Sequence, residues 1–351
     1  MRKNIAGSLL VAMAFLSMTL SISATSPTNE YPNKGIRITP PAPVFSDVER
    51  QEELAKRRKL VADAMDDNSL LILFSAEPKI YTNDVDYPYR QENNLYYLTA
   101  LKQNGTSLVI KKENGSISEY VFIPKRNPQF ETWNGKMYSN EDAIKLSGLE
   151  NIVDSANFKG FLDSIRNRAE YKAADGSFEN AFIPATIYLL KSDKREYPAE
   201  IEFAAGLTGY DVKDGSQIFD RLRSVKSPYE IKMMQHAVDI TTEAFGRSMG
   251  MAGRAKWEYE VQAEVEYTFR RRNADFWGYP SIVGCGANAT TLHYVESQSR
   301  IKPGELLLMD VGAEYDHYTA DITRDNASLR RIAEPDQTRR TPPDGRRSGI
   351  R

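Results

Sequence analysis

The sequence predicts an α/β domain followed by an α+β domain, on three observations. Between residues 46 and 200, helical patterns are mixed with short apolar strands. From about Arg221, two long amphipathic helices follow one another. Beyond them, the apolar pattern changes from helical to strand-like, with Gly and Asn at the turns. The 351 residues are enough for two ordinary domains with tails.

Composition excludes several classes of protein. The formal net charge of −2 gives no overall attraction to nucleic acid or to an anionic membrane, and we expect neither as a partner of the mature chain. A hydrophobic content of 41% is typical of a globular protein. Cys285 is the single cysteine, so no disulfide forms within the chain.

The N-terminus has the pattern of a secretory signal peptide. Two cations in MRKN precede a long apolar run, and small residues follow at Ser21, Ser23 and Ala24. We therefore predict a signal peptide over residues 1–24 and a secreted or periplasmic protein, with an uncleaved membrane anchor as the alternative. Residues 25–45 are rich in Pro, Ser, Thr and Asn and are predicted to form an extended leader.

The first domain is predicted over residues 46–200. Ser46 precedes a helix over residues 47–65, and the apolar run SLLILFS predicts a strand over residues 69–75. Three further strands are predicted in NLYYLTAL, TSLVIKK and SEYVFIPK, which are separated by turns containing Gly and Asn.

The second domain is predicted over residues 221–325. Ser227, Pro228 and Glu230 form a capping box with proline at the first helical position. The apolar residues predicted to face the core in this helix are Ile231, Met234, Val238 and Phe245. Those of a second helix, over residues 257–273, are Trp257, Val261, Val265 and Phe269.

Two aspartates occur in a predicted β-hairpin, LLLMDVGAEYDHYTADITRD. A tight turn at Tyr315–Asp316 would place Asp310 opposite Asp321, with their Cβ atoms about 4.5–5.5 Å apart. Two ionised carboxylates at that separation repel each other, and a pair of divalent ions about 3.5–4 Å apart would relieve the repulsion. The alternatives are that one aspartate turns to solvent or pairs with Arg324. The same register would pair Gly312 with Thr319 and Glu314 with His317.

Three blocks occur in an order that resembles a known family. RLRSVKSPYEI, YPSIVGCGANATTLHY and LLLMDVGAEYDHYTADITR together resemble the pita-bread metallopeptidases, specifically aminopeptidase P (Xaa-Pro aminopeptidase). The upstream block DVDYPYRQENNLYYLTAL is similar to the N-terminal domain of that family. The resemblance covers residues 46–324 and implies an α/β N-terminal domain of the creatinase/aminopeptidase P type, followed by a partial α+β pita-bread domain.

The resemblance also implies a site and a reaction. Asp310 and Asp321 match the first two metal ligands of a dinuclear Mn site, and His293 matches a catalytic histidine that contacts the substrate. The metals would activate a water for cleavage after the first residue of a peptide with proline second, and homo-oligomers are expected. Without the resemblance, His293 would be interpreted as a partly buried structural histidine. His236 is interpreted as structural, and His317 is expected to be exposed at the hairpin tip.

The other ligands that the resemblance implies, one His and two Glu, have no counterpart here. No histidine follows Asp321, and Glu334 is the only later glutamate. Residues 326–351 hold seven Arg and no Lys, and we interpret them as a disordered tail translated out of its proper frame. An ordinary basic tail is the alternative. We therefore expect a truncated pita-bread domain and an inactive chain.

Three other functions remain open at this point. An Xaa-Pro dipeptidase would share the fold and the ligands and differ in the length of its substrate. A non-catalytic pita-bread protein would bind proline-containing peptides or pair with a full-length subunit. A metal-free amidinohydrolase of the same fold ranks lowest, because such relatives do not keep both aspartates.

Overall fold

A computed structural model of the chain describes residues 35–191 and 197–326. The predicted signal peptide (1–24), residues 25–34 of the predicted leader and the predicted tail beyond residue 326 lie outside the described residues. Within the described part, no helix combines the length and the apolar character that a bilayer-spanning segment requires.

The first domain alternates helices and strands, as the sequence predicts. Its elements, in chain order, are α1 (Asp47–Ala64), β1 (Ser69–Leu73), β2 (Ile80–Thr82), β3 (Val85–Asp86), α2 (Asn93–Thr99), β4 (Ser107–Glu113), β5 (Ser116–Ile123), α3 (Pro128–Asn134), α4 (Asn140–Ser147), β6 (Ile152–Asp154), α5 (Phe158–Arg166), β7 (Tyr171–Lys172), β8 (Glu179–Asn180), β9 (Thr186–Leu189), α6 (Pro198–Ala205), β10 (Asp211–Asp214) and α7 (Ser216–Ser224).

A mixed six-stranded sheet forms the centre of this domain, in the order β10-β9-β1-β4-β5-β6. Strand β1 is antiparallel to β4 and parallel to β9, and all its residues are buried because helices cover both faces. Leu71 and Leu73 pack on the side of α1, and Leu70 and Ile72 pack on the side of α5 and α6. Strand β10 lies beyond residue 200, where the predicted domain ended, yet it pairs with β9 in the same sheet.

The predicted first helix is confirmed, and its start has a local cause. The Ser46 hydroxyl accepts a hydrogen bond from the Glu49 backbone N–H, while the Glu49 carboxylate accepts one from the Ser46 N–H. This capping box satisfies two N–H groups that have no partner within the helix. The predicted strands at residues 69–75, 106–112 and 118–125 are also confirmed, as β1, β4 and β5.

The strand predicted in NLYYLTAL is wrong, because the segment forms helix α2. The carboxylate of Glu92 accepts hydrogen bonds from the backbone N–H groups of Asn94 and Leu95 and so caps the helix. Ala100 ends it in the left-handed conformation, with a φ of +56°. All residues from Leu95 to Thr99 are buried. Capping and burial outweigh the preference of the Tyr and Thr residues for strands, and the leucines favour a helix.

The second domain places two helices before short strands. Its elements are α8 (Pro228–Ala252), α9 (Glu258–Arg271), β11 (Phe276–Trp277), β12 (Ile282–Cys285), β13 (Leu307–Val311), β14 (Ala313–Tyr315), β15 (Tyr318–Thr319) and β16 (Ile322–Asn326). The strands form two three-stranded sheets, in the orders β11-β14-β15 and β12-β13-β16. Helices α8 and α9 pack with these strands around one apolar core. Asn326, the first residue of the predicted tail, ends β16.

Helix α8 starts at the predicted capping box, but its buried face differs from the prediction. Ile231 is 55% exposed, and of the predicted core residues only Phe245 is buried. The buried stripe instead contains Met233, Ala237, Ile240 and Ala244. The helical period of 3.6 residues is compatible with either stripe of side chains facing the core. Packing of α8 against β14 and β15 determines which stripe is buried.

The described part of the leader, residues 35–45, forms neither helix nor strand and is tied to α8. The backbone N–H and the hydroxyl of Thr39 both donate to the Glu243 carboxylate, each at 2.7 Å. Arg247 and Arg272 also donate to this carboxylate, whose side chain is fully buried. Burial raises the pKa of Glu243, but the hydrogen bonds from Arg272 and Thr39 outweigh it and hold the pKa well below its usual range.

Candidate metal and peptide site

The hairpin that carries Asp310 and Asp321 is present, but its predicted register is wrong by two residues. Asp310 lies opposite Thr323 and not opposite Asp321. The turn is formed by Asp316 and His317, with φ angles of +51° and +68°, which suits the twist of a hairpin. Because side chains alternate with a period of two, both carboxylates still belong to one face. The predicted pairs Gly312 with Thr319 and Glu314 with His317 are replaced by Glu314 with Thr319.

The Tyr279 hydroxyl lies between the two carboxylates. Its oxygen is 2.5 Å from Oδ1 of Asp310 and 3.1 Å from Oδ1 of Asp321. Burial, and then the hydrogen bond to Asp310, raise the pKa of Tyr279 far above its usual value, so the hydroxyl keeps its proton. One proton serves only one carboxylate at a time. The two aspartates therefore converge on a single neutral donor.

The chemistry of this group fits a divalent cation. Within the described residues, no Lys, Arg or His forms an ion pair with Asp310 or Asp321, and Arg324 does not pair with either. Two carboxylates that share one neutral hydroxyl retain their mutual repulsion. Their oxygens are hard donors, which Mg, Mn and Ca prefer. The donor set of the residues present thus fits such an ion, and the assignment of Asp310 and Asp321 as metal ligands stays a prediction.

His293 lies on the segment that follows β12. Ile282 in β12 pairs with Asp310 in β13, so the segment starts beside the strand that carries the first aspartate. Residues 286–290 form a short 3-10 helix, and His293 itself is exposed three residues later. The interpretation of His293 as a partly buried structural residue therefore does not hold. His236 is buried and packs edge-on against Tyr315, as expected of a structural histidine.

The tip of the hairpin is held by the first domain, and the expectation that His317 is exposed is wrong. The His317 ring stacks on Tyr96 of α2, with ring centroids 3.8 Å apart. The Tyr96 hydroxyl donates to Asp316 at 2.5 Å. Nδ1 and Nε2 of His317 are both buried without a hydrogen-bond partner in the described part of the chain. A turn that projects from one domain here docks against another, which sequence periodicity does not reveal.

Asp275, Glu314 and His317 form a group whose donor atoms lie within 4.8 Å of one another. Each carboxylate already has a cationic partner from the first domain. Arg90 donates to both oxygens of Glu314 at 2.9 Å, and Lys102 lies 3.1 Å from Asp275. Because these cations already neutralise the carboxylates, we interpret the group as an electrostatic contact between the domains and not as a second metal centre.

Acid should weaken this contact through His317. Burial, and then the charges of Arg90 and Lys102, lower the pKa of His317 from 6.5 to about 3. The folded state thus favours neutral His317, and this contribution to stability is complete above pH 6.5. It declines as the pH falls from about 6.5 to 3, because the unfolded chain binds the proton first. Protonation of this one residue changes the free energy of unfolding by at most about 1.4 kcal/mol per pH unit.

Urea unfolding midpoints measured at pH 7 and pH 4.5 would test this for the native chain and for His317→Gln. The variant should lose less stability than the native protein between the two pH values. His293→Gln is the matched control, because that ring is exposed and should leave the difference unchanged. Equal pH dependence in the native and His317→Gln proteins would contradict the role of His317.

Sequence reasoning did not identify Tyr279, the donor that joins the two aspartates. The residue lies in an irregular segment between β11 and β12, in the stretch GYPS, where no periodicity points to a site. The neighbouring position 278 has room only for glycine, because an added Cβ would lie 1.8 Å from Cγ2 of Thr319. Close approach of the two segments brings Tyr279 to the carboxylates.

Two family matches cover the two domains. Residues 54–173 match the aminopeptidase P N-terminal domain, and residues 232–336 match metallopeptidase family M24. The second family implies divalent metal ions, consistent with the donor set at Asp310 and Asp321.

Curated relatives and solved structures agree with these matches. The Xaa-Pro aminopeptidase of Haemophilus influenzae is 30% identical over 274 residues, or 78% of this chain and 60% of the relative. Xaa-Pro aminopeptidase 3 of Mus musculus is 31% identical over 297 residues, or 81% of this chain and 56% of the relative. Escherichia coli aminopeptidase P with the inhibitor Pro-Leu superposes with a TM-score of 0.69 at 24% identity, over 80% of this chain and 62% of that one.

The chain therefore spans 60% or less of the length of these two curated relatives. The two family matches and the aminopeptidase P structures confirm the α/β N-terminal domain and the pita-bread domain. The chain belongs to the Xaa-Pro aminopeptidase family of metallopeptidases.

Proposed function

We propose that the protein is a metal-dependent aminopeptidase that releases the N-terminal residue from peptides with proline in second position. The observation that carries this proposal is the convergence of Asp310 and Asp321 on Tyr279, with no cationic side chain paired to them in the described residues. Identity of about 30% to Xaa-Pro aminopeptidases supports the choice of substrate. We assign a pair of ions to the complete site, and Mn as the metal.

Each residue of the site has a distinct role in this proposal. Asp310 and Asp321 hold the metal from one face of the hairpin, and Tyr279 keeps both carboxylates oriented. When bound, the ions supply a water of lowered pKa and polarise the carbonyl of the peptide bond. His293 donates a hydrogen bond to the carbonyl oxygen as its negative charge develops.

A cleft between the domains lies beside this site and is the place that we propose for the peptide. Its volume is about 630 Å³, within the usual range for ligand pockets. Tyr279 lines it together with Phe276 and Trp277, and Tyr89 and Lys102 line it from the first domain. Aromatic rings offer an apolar surface to a proline ring. Because residues of both domains line the cleft, we propose that it receives a peptide longer than two residues.

We also propose that the protein is secreted or periplasmic and that it forms homo-oligomers. The charged N-terminus, the apolar run and the small residues up to Ala24 support export. The balanced charge supports the expectation that neither nucleic acid nor the membrane surface is a partner.

The 351-residue polypeptide alone is proposed to be inactive. Its two aspartates supply four oxygens, whereas two octahedral ions need about six ligands each. The one His and two Glu that the resemblance assigns to the rest of the site have no counterpart after Asp321.

Manganese binding and peptide hydrolysis together test the function. Electron paramagnetic resonance should detect Mn²⁺ binding to the 351-residue chain, and Asp310→Asn and Asp321→Asn should each reduce it at least tenfold. Residues 46–326 joined to the remaining segment of the Haemophilus influenzae relative should release Ala from Ala-Pro-Ala. Asp310→Asn in the same chimera is the control and should release none.

Three outcomes would contradict parts of the proposal. Unchanged Mn²⁺ binding in both aspartate variants would exclude the metal site. Cleavage of Ala-Pro but not of Ala-Pro-Ala by the chimera would favour a dipeptidase. Mn-dependent hydrolysis by the 351-residue chain alone would overturn its proposed inactivity.

A further inference from the structure

Glu258 is a buried carboxylate to which the function above gives no role. It is the first residue of α9, and its side chain is completely inaccessible to solvent. Within the described residues, no Lys, Arg or His forms an ion pair with it. An isolated buried carboxylate is costly unless hydrogen bonds satisfy it. Its environment therefore indicates what the residue holds in place.

Four donors satisfy Glu258, and all come from the segment that contains His293. The backbone N–H of Cys285 and the side-chain amide of Asn288 donate to Oε1, at 2.7 and 3.0 Å. The hydroxyl of Tyr294 and the backbone N–H of Ser299 donate to Oε2, at 2.7 and 2.8 Å. The location at the N-terminus of α9 adds the favourable field of the helix dipole.

The four hydrogen bonds close a loop around His293. Cys285 ends β12 before the loop, and Ser299 lies after it, so one carboxylate joins both ends. A backbone hydrogen bond from Glu258 N–H to the Ser299 carbonyl, at 3.0 Å, strengthens the same closure. Tyr294, which is also held, is the residue immediately after His293. The exposed His293 thus lies on a loop whose two ends, and the residue next to His293, are hydrogen-bonded to the buried Glu258.

We infer that Glu258 is a positioning residue for His293: through Cys285, Tyr294 and Ser299 it fixes the loop that presents the imidazole. The inference rests on the proposed function only for the use that the reaction makes of His293. A carboxylate is suited to this task because each of its oxygens accepts two hydrogen bonds. A glutamine offers one acceptor oxygen and one donor group in the same volume.

Glu258→Gln should therefore loosen the loop selectively. Whichever way the amide turns, its NH₂ group faces the backbone N–H of either Cys285 or Ser299, which cannot become an acceptor. The Tyr294 hydroxyl can rotate and accept instead. Hydrogen exchange of the amide left without a partner should rise about tenfold or more. The His293 ring should lose its fixed surroundings.

The chain has only three histidines, so ring signals of ¹⁵N-histidine-labelled full-length protein give a direct readout. In Glu258→Gln, the His293 signals should shift and broaden, while those of His236 and His317 stay unchanged. Glu264→Gln is the matched control, because it makes the same change in α9 on a half-buried side chain and should alter neither signals nor exchange. His293→Gln assigns the His293 signals.

Two results would overturn the inference. If amide exchange at Cys285 or Ser299 rises in Glu258→Gln but the His293 signals do not change, Glu258 has only a structural role. If neither changes, the loop does not depend on it. Should Glu258→Gln fail to fold, Tyr294→Phe removes one of the four hydrogen bonds and must produce a smaller change of the same kind. Because the readout is the imidazole and not hydrolysis, failure of the proposed activity would leave this result unaffected.

Discussion

Replacing Glu243 with alanine should lower the free energy of unfolding of the second domain by about 3–5 kcal/mol, the cost of breaking a buried ion pair. The fully buried carboxylate accepts hydrogen bonds from Thr39, Arg247 and Arg272. Its removal leaves two guanidinium groups without their shared partner and detaches the leader from α8. One negative charge and the five hydrogen bonds that it accepts are lost together, so this is the largest stability effect that we expect.

Tryptophan fluorescence during urea unfolding would measure this loss of stability in the second domain. Trp257 and Trp277 both belong to the second domain, and Trp133 lies in α3 of the first. In a Trp133→Phe background, the signal therefore reports on the second domain alone. Glu264→Ala provides the control, because its half-buried side chain takes part in no comparable cluster. A loss below about 1 kcal/mol, the range of surface ion pairs, would show that the cluster contributes little.

Gly312→Ala should destabilise the second domain by about 3 kcal/mol, the upper part of the range for overpacked interiors. An added Cβ would lie 1.7 Å from the Ala320 carbonyl oxygen, and backbone cannot move aside as a flexible side chain can. Gly312 lies between β13 and β14, next to the strand of Asp310, and Ala320 precedes Asp321. Relief of the clash must therefore separate the two carboxylates, and Mn²⁺ affinity should fall as well.

The same fluorescence measurement and an Mn²⁺ titration would test this substitution. Gly250→Ala is the matched control, because an added Cβ there meets nothing within 4 Å and the residue lies in helix α8. That variant should be as stable as the native protein or more stable by about 1 kcal/mol, since alanine is the better helix former. Native stability and native Mn²⁺ affinity in Gly312→Ala would show that the strands have room to separate without cost.

Helix starts were predictable because their causes are local. At Ser46 and at Ser227, the serine and the glutamate three residues later satisfy each other's backbone N–H groups, and nothing distant is required. The buried strand β1 was predictable for a related reason, because the five consecutive apolar residues from Leu70 to Phe74 have few other stable environments. The choice between helix and strand at Leu95–Thr99 was not local alone, since burial between elements decided it together with the cap at Glu92.

The same distinction between local causes and tertiary packing applies to the candidate site. The sequence by itself determined the family, the order of the two domains and the two aspartates on one hairpin face, since alternation along strands survives a shift of two residues. Only the tertiary structure decided the register, the approach of Tyr279 to both carboxylates and the docking of His317 on Tyr96. Contacts of this kind join residues 31 to more than 200 positions apart. They follow from packing, which no local pattern of side chains specifies.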